Sequence, residues 1–397
     1  MAQASFIASE KQFIQMKKKN IQEQGLWGVF LLIGIAIIVS CKSSVNHAGI
    51  VVNNPSSFDR KELVEIPYKT FSQVYTAEAP FRIIDENSEE LTYQLVRNGE
   101  EKIDHVLIWV DIPANDDIKL FVEAGEPTPV EARTYARYVP ERFDDFAWEN
   151  DKVAFRMYGK ALEGRADDAH GTDIWAKRTD RPVIDEWYKT DDYHKDHGEG
   201  LDYYAVGMTL GAGDIAPFVD DKISYSKHYR EHELLENGPL RSTFKLTYEP
   251  WEVGDRTVSV TKNITLEAGS QLNKVEVTYS FEGEDPLPVV AGIVLREEDG
   301  GKIIQRKDNG IAAYWEPGHG DDGTLGVAVV TPEEIVKIFE GEGQLLTQFE
   351  ASSGKPMVYY NGGAWDKAGE ITSAEAWEHY LTQYQEKIKN PLTITIQ

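Results

Sequence analysis

From about Glu62 onward the chain is built of short runs in which apolar and polar residues alternate with period two, bounded by Gly, Pro, Asn or Asp. Such runs fall at His105 to Ile112, Ile118 to Glu123, Val153 to Tyr158, Thr257 to Leu266, Lys274 to Phe281, Val289 to Leu295 and Leu325 to Val330. In one of them Val258, Val260, Lys262, Ile264 and Leu266 alternate with Thr257, Ser259, Thr261, Asn263 and Thr265, which turns one mostly apolar face toward a core. The pattern predicts an all-β sandwich with large sheets and few helices. No fixed-period repeat marks a propeller or solenoid.

The period changes to a helical one near the end. Thr372 with Glu375 reads as a capping box, and Trp377, Tyr380, Leu381, Tyr384 and Ile388 follow at helical spacing, an aromatic stripe best explained by core packing. A last strand is expected at Leu392 to Ile396. Between Tyr158 and Leu240 the strand pattern weakens while Asp, His, Tyr, Trp and Gly accumulate. Loops of that length inside a β-domain commonly carry function on a rigid scaffold.

The N-terminus has a different pattern. Lys17-Lys18-Lys19 precede an apolar run, Leu26 to Val39, that ends in Ser40-Cys41. This reads as a lipoprotein signal peptide over residues 16–40, with Cys41, the only cysteine, as the lipidated residue, and with residues 1–15 as an overlong gene start. Residues 41–60 are expected to be a polar tether and residues 61–397 a single catalytic β-sandwich domain. The location implied is the cell envelope, as an outer-membrane lipoprotein facing the periplasm. A lone cysteine leaves no disulfide, so stability must come from the packed core.

Composition narrows the partners. With 41 Lys and Arg against 67 Asp and Glu, the net charge is −26. Such a chain has no basic stripe to replace the counterions of a nucleic acid, so nucleic acid is excluded as a main partner. An anionic substrate would need a local cationic pocket working against the global field.

The densest chemistry lies at Tyr193-His194-Lys195-Asp196-His197-Gly198-Glu199-Gly200-Leu201-Asp202-Tyr203-Tyr204. His194 and His197 are three apart, but the glycines oppose a continuous helix and the zincin spacing is absent. The acidic residues lack the regular EF-hand spacing. The glycines of Val206 to Asp214 lack the Lys-Ser/Thr of a phosphate loop, and no nucleophile elbow occurs. Acid–base chemistry remains, with imidazole as acceptor and phenol as donor. Proton removal beside a carboxylate also needs a cation or strong donor, for which Arg156, Arg296, Lys195 and Asn150 are available. Alternation would place Asn150, Lys152, Ala154, Arg156 and Tyr158 on one strand face.

The segments Trp148 to Gly159, Gly171 to Arg178, Pro182 to Tyr188 and Tyr193 to Tyr204 resemble a bacterial family filed as a domain of unknown function, found among polysaccharide-utilisation genes for uronate-containing glycans. The family includes dehydratases of ulvan oligosaccharides, and the resemblance covers roughly residues 60–397. It implies removal of water from a non-reducing-end glucuronate or iduronate, giving a 4,5-unsaturated uronyl end for a downstream hydrolase. The fold expected is then a large antiparallel sandwich of the supersandwich kind shared by mutarotases and polysaccharide lyases. On that reading His194 or His197 is the base, Tyr203 or Tyr204 the acid, and Arg156 with Asn150 the carboxylate clamp. Lys195 and Arg296 are further binding residues, and Trp175 and Trp187 are sugar platforms. The proposed chemistry requires no cofactor and leaves room for a metal; the partners are an anionic oligosaccharide and, through the lipid only, a membrane. Two alternatives stay open: a non-catalytic glycan-binding lipoprotein, and a glycoside hydrolase or epimerase using paired carboxylates such as Glu199 and Asp202.

Overall fold

The computed structural model describes residues 49–190 and 192–397. Cys41, the expected signal peptide and the start of the expected tether lie outside the described residues. Two large sheets share the main core. A ten-stranded sheet runs from Lys337–Gly341 at one edge to Thr134–Val139 at the other, and an eight-stranded sheet runs from Glu231–Asn237 to Lys302–Arg306. Their inner faces interdigitate through Phe155, Ile174, Ile215, Val260, Val277, Val289, Val327 and others, all essentially inaccessible to water. Each such side chain contributes about 1.5–3 kcal/mol of hydrophobic stabilisation relative to exposure. The fold is all-β with few helices, as the period-two runs require.

A smaller pair of sheets carries its own core. Five strands from Thr393–Ile396 to Glu90–Leu91 and three strands, Arg60–Pro67, His105–Ile112 and Tyr93–Val96, enclose Ile50, Val52, Ile66, Phe81 and Ile108. This corrects the expected tether. Ile50–Asn53 is a strand between Thr393–Ile396 and Asp117–Ala124, with Ile50 and Val52 fully buried. Three apolar residues are too short a run to show a period, and both partners are distant in sequence.

The C-terminal helix, Ala374–Lys389, packs Trp377 and Leu381 into a further core, with Tyr380, Tyr384 and Ile388 against it. Its N-cap is Ser373, not Thr372: the Ser373 hydroxyl accepts from Ala376 N at 3.2 Å. On Arg256–Glu267 the predicted inner face is buried throughout, Lys262 included. That ammonium survives among apolar neighbours because Asp214, equally buried, accepts from it at 2.5 Å.

The weakly patterned region is structured too. His170–Lys177 and Met208–Val219 run side by side in parallel at the centre of the ten-stranded sheet. Every residue of the first is buried, so no polar face exists to produce alternation.

Candidate functional site

The loop Tyr193 to Tyr204 is fastened to the sheet at its far end. Gly200–Leu201 pairs with Ala176 and Lys177, and Gly200 has φ 129°; a Cβ there would lie 2.0 Å from the Ala176 carbonyl oxygen, so only glycine fits. Asp196 accepts from the backbone N–H of Gly198 (2.7 Å) and Gly200 (3.2 Å), and Arg178 donates to the Gly198 carbonyl (2.9 Å) and to Asp196. Beyond this anchor, alternation sends Asp202 to one side and Tyr203 to the other.

On the Asp202 side lies a buried ion cluster. Arg156 donates to Asp173 through Nε (2.9 Å) and Nη2 (2.5 Å) and to Asp202 through Nη2 (3.0 Å), while Asp145 stands 3.9 Å from Nη1. Three carboxyl groups thus face this one guanidinium in a buried setting. Burial pushes Asp145 up to about 7. It also raises Asp173, with Arg156 pulling the other way, and raises Asp202 strongly, with Asp173 adding to the rise. His194 Nδ1 donates to the Asp202 carbonyl at 2.8 Å, and its ring leans on Tyr193 at the surface.

This arrangement corrects several expectations. Arg156 is buried and consumed by its own carboxylates, so its charge is not free to clamp a substrate. Asn150 does not share a strand with Arg156: Asp145–Asn150 and Ala154–Met157 are antiparallel arms of a hairpin. The Asn150 amide donates to the Glu267 and Ser270 carbonyls (2.6 and 2.7 Å), and its oxygen accepts from Lys152 and Val153 N–H, which closes the turn and uses the whole side chain. Trp175 is fully buried, donates to Asp173 and stacks on Trp187 at 5.7 Å, so both rings are core rather than platforms. Tyr204 is buried and donates to the Gly211 carbonyl at 3.0 Å. His197 and Lys195 are on the surface, with His197 Nε2 taken by Asp192 at 3.0 Å.

On the Tyr203 side the ends of several strands bring an exposed histidine onto a phenol whose hydroxyl is buried and has no hydrogen-bond partner among the described residues. The Tyr203 ring stacks on His319, centroids 4.9 Å apart and planes within 14°. His319 Nδ1 lies 3.1 Å from Asp322; donating there leaves Nε2 as a bare acceptor on a largely exposed ring. Burial, with Glu316 as the next contributor, pushes the Tyr203 phenol far above its ordinary range and keeps it protonated. Arg296, just past strand Leu287–Val294, donates through Nε to Glu316 (2.5 Å) and through Nη1 to the Ala205 carbonyl (2.7 Å), and its guanidinium lies 4.5 Å from the Tyr204 ring centroid. Glu316, directly after strand Ile311–Trp315, is raised by burial against the pull of Arg296. Trp365, last in Pro356–Trp365, donates to the Asp322 carbonyl at 2.7 Å and receives Arg178 at 5.0 Å from its centroid.

Among the sequence candidates, the structure brings together Tyr203 and Arg296. His319, Asp322 and Glu316 were missed. Their segment, Trp315-Glu316-Pro317-Gly318-His319-Gly320-Asp321-Asp322-Gly323, carries the same mixture of His, Gly and acid as Asp196 to Gly200, and that shared composition was the available signal. Among the described residues no group of three or more His, Cys, Asp or Glu is placed to hold a metal ion. Two clefts, of about 1040 and 550 Å³, lie elsewhere; none of the constellation's residues lines them.

A family described as a domain of unknown function, DUF4861, matches residues 52–394. The chain is 32% identical over 397 residues to an uncharacterized protein, P7, of Formosa agariphila, with 93% of this chain and 98% of that protein covered. Among solved structures it is similar to a protein in glycosyl hydrolase family 38 from Enterococcus faecalis (TM-score 0.47, 13% identity, 88% of this chain and 47% of that one). It is also similar to an alpha-mannosidase from Enterococcus faecalis V583 (TM-score 0.43, 10% identity, 88% and 46%). The chain spans about half the length of these solved structures.

Proposed function

Because the chain belongs to the DUF4861 family, whose pattern matches residues 52–394, we propose that it is a carbohydrate-active lyase that dehydrates the non-reducing-end glucuronate or iduronate of ulvan-type sulfated oligosaccharides. The observation that carries the reading is the grouping of a proton acceptor, a protonated phenol and a cation: exposed His319 held by Asp322, Tyr203 stacked on it with a buried hydroxyl that has no partner among the described residues, and Arg296 alongside. In the proposed reaction Arg296 Nη2, which has no partner among the described residues, receives the uronate carboxylate. His319 Nε2 removes the C5 proton, the electron pair passes toward the carboxylate and then forms the C4–C5 double bond, and Tyr203 protonates the departing C4 hydroxyl, which leaves as water. The product is a 4,5-unsaturated uronyl end for a downstream hydrolase.

Electrostatic placement favours this over hydrolysis by paired carboxylates. Asp202 is buried against Arg156, and both Glu199 oxygens are engaged by Arg181. A lipid anchor at Cys41 and an outer-membrane location facing the periplasm belong to the same proposal. The test is a time course of ultraviolet absorbance on oligosaccharides with saturated uronate ends. The wild type should generate the unsaturated chromophore and His319→Ala should lose most of the rate; equal rates in the two would remove His319 from the mechanism.

A further inference from the structure

The smaller cleft, of about 550 Å³, lies between strand Arg60–Pro67, the C-terminal helix Ala374–Lys389 and the eight-stranded sheet, and its volume is in the range of small-molecule sites. Register sets part of its sheet side: Lys274 on Leu272–Ser280 stands directly beside Thr265 on one neighbour and Tyr360 on the other. Helix spacing brings Tyr380 and Tyr384 over the same place. Tyr384 meets Tyr360 edge-on at 5.4 Å and Tyr380 at 6.0 Å, and Tyr380 is fixed because its hydroxyl accepts from Gln271 N–H at 3.0 Å. The result is a three-ring aromatic patch that is only partly covered.

The charges around it are ordered. Lys387 pairs with Glu62 at 2.8 Å, and Arg241 pairs with Glu65 and Glu267 at 2.5 Å each. Among the cations lining the cleft, Lys274 is exposed and has no acidic partner within 4 Å among the described residues. An ammonium without an acidic partner among the described residues thus stands beside half-buried aromatic rings on a chain of net charge −26. Aromatic faces suit the C–H faces of pyranose rings, and ion-pair walls supply donors and acceptors for hydroxyl groups.

We propose that this cleft is a second saccharide-binding site that holds one unit of an acidic oligosaccharide, its ring against Tyr360 and Tyr384 and its sulfate or carboxylate on Lys274. The choice of acidic glycan as ligand rests on the dehydratase reading; the binding itself does not require catalysis.

The experiment titrates His319→Ala protein, which should turn substrate over slowly, with sulfated, uronate-containing oligosaccharides by calorimetry, alone and combined with Lys274→Glu or Tyr360→Thr. Two binding events are expected, one of them weakened at least about 10-fold by Lys274→Glu and by added salt, as for a charge contact at a surface. Lys274→Glu in an otherwise wild-type chain should leave the turnover of a disaccharide unchanged. Unchanged affinity and stoichiometry in both cleft variants would overturn the proposal. If oligosaccharides bind and the cleft variants abolish one event while no unsaturated product ever forms, the site stands and the dehydratase reading falls.

Discussion

Replacing Arg156 with Met separates a structural role from a substrate-binding one. The Arg156 side chain is 8% exposed and the Asp173 and Asp202 side chains 0% and 3%, so the variant strands two carboxyl groups, with Asp145 beside them, in a buried site. Breaking a buried ion pair from one side costs about 3–5 kcal/mol, a large part of the roughly 5–15 kcal/mol that holds a typical domain together. The loss should depend on pH. With the cation gone, burial alone governs these carboxyl groups, and their folded pKa values rise further above the unfolded ones. A group raised in this way stabilises fully at pH below its unfolded pKa and loses that contribution as pH climbs through the folded value. The deficit should therefore be greatest above neutrality and shrink toward pH 4. Urea unfolding at pH 5 and pH 8 measures both effects. A variant as stable as wild type at pH 8 yet catalytically dead would rule out the structural role and return Arg156 to the substrate carboxylate.

The wild type should itself lose stability as pH rises from about 4 through about 7, because Asp145 is raised to about 7 by burial; the shift corresponds to on the order of 4 kcal/mol. Asp145→Asn should flatten that part of the profile of thermal midpoint against pH, and an unchanged profile would dismiss Asp145 as the titrating group. Lys262→Met should cost about 3–5 kcal/mol by leaving Asp214 uncompensated, while Lys262→Met with Asp214→Leu should recover most of it in denaturant melts. His319→Ala should lower kcat by about 10²- to 10⁴-fold. His194→Ala and His197→Ala should stay within about 3-fold of wild type, since one ring is tied to the Asp202 carbonyl, the other to Asp192, and neither stacks on Tyr203; a large loss in either would move the proton acceptor back to the Tyr193 to Tyr204 loop.

Much of the fold was legible because half-buried strands announce themselves. His105–Ile112 and Leu325–Val330 coincide with their predicted runs, and Arg256–Glu267 extends its run by one residue at each end. Ile50–Asn53, His170–Lys177 and Met208–Val219 were invisible for opposite reasons, the first too short for a period and the others almost wholly buried. The loop that concentrates His, Tyr and acid was legible as a cluster of titratable groups, but the partners of its side chains were not. Tyr203 meets a histidine 116 positions further along the chain, and Asp202 meets an arginine 46 positions earlier; both distances are set by strand order rather than local spacing. Asn150 looked like a neighbour of Arg156 because period two was carried through residues 151–153, where its own side chain makes the chain turn.

In the proposed reaction His319, Tyr203 and Arg296 together eliminate water from a terminal uronate. Mass spectrometry of an oligosaccharide with a saturated glucuronate or iduronate end, incubated with the protein, tests it most directly. A product lighter by one water is expected from the wild type, and little or none from Tyr203→Phe or Arg296→Met. A substrate recovered at its original mass, or fragments that have gained water, would contradict it.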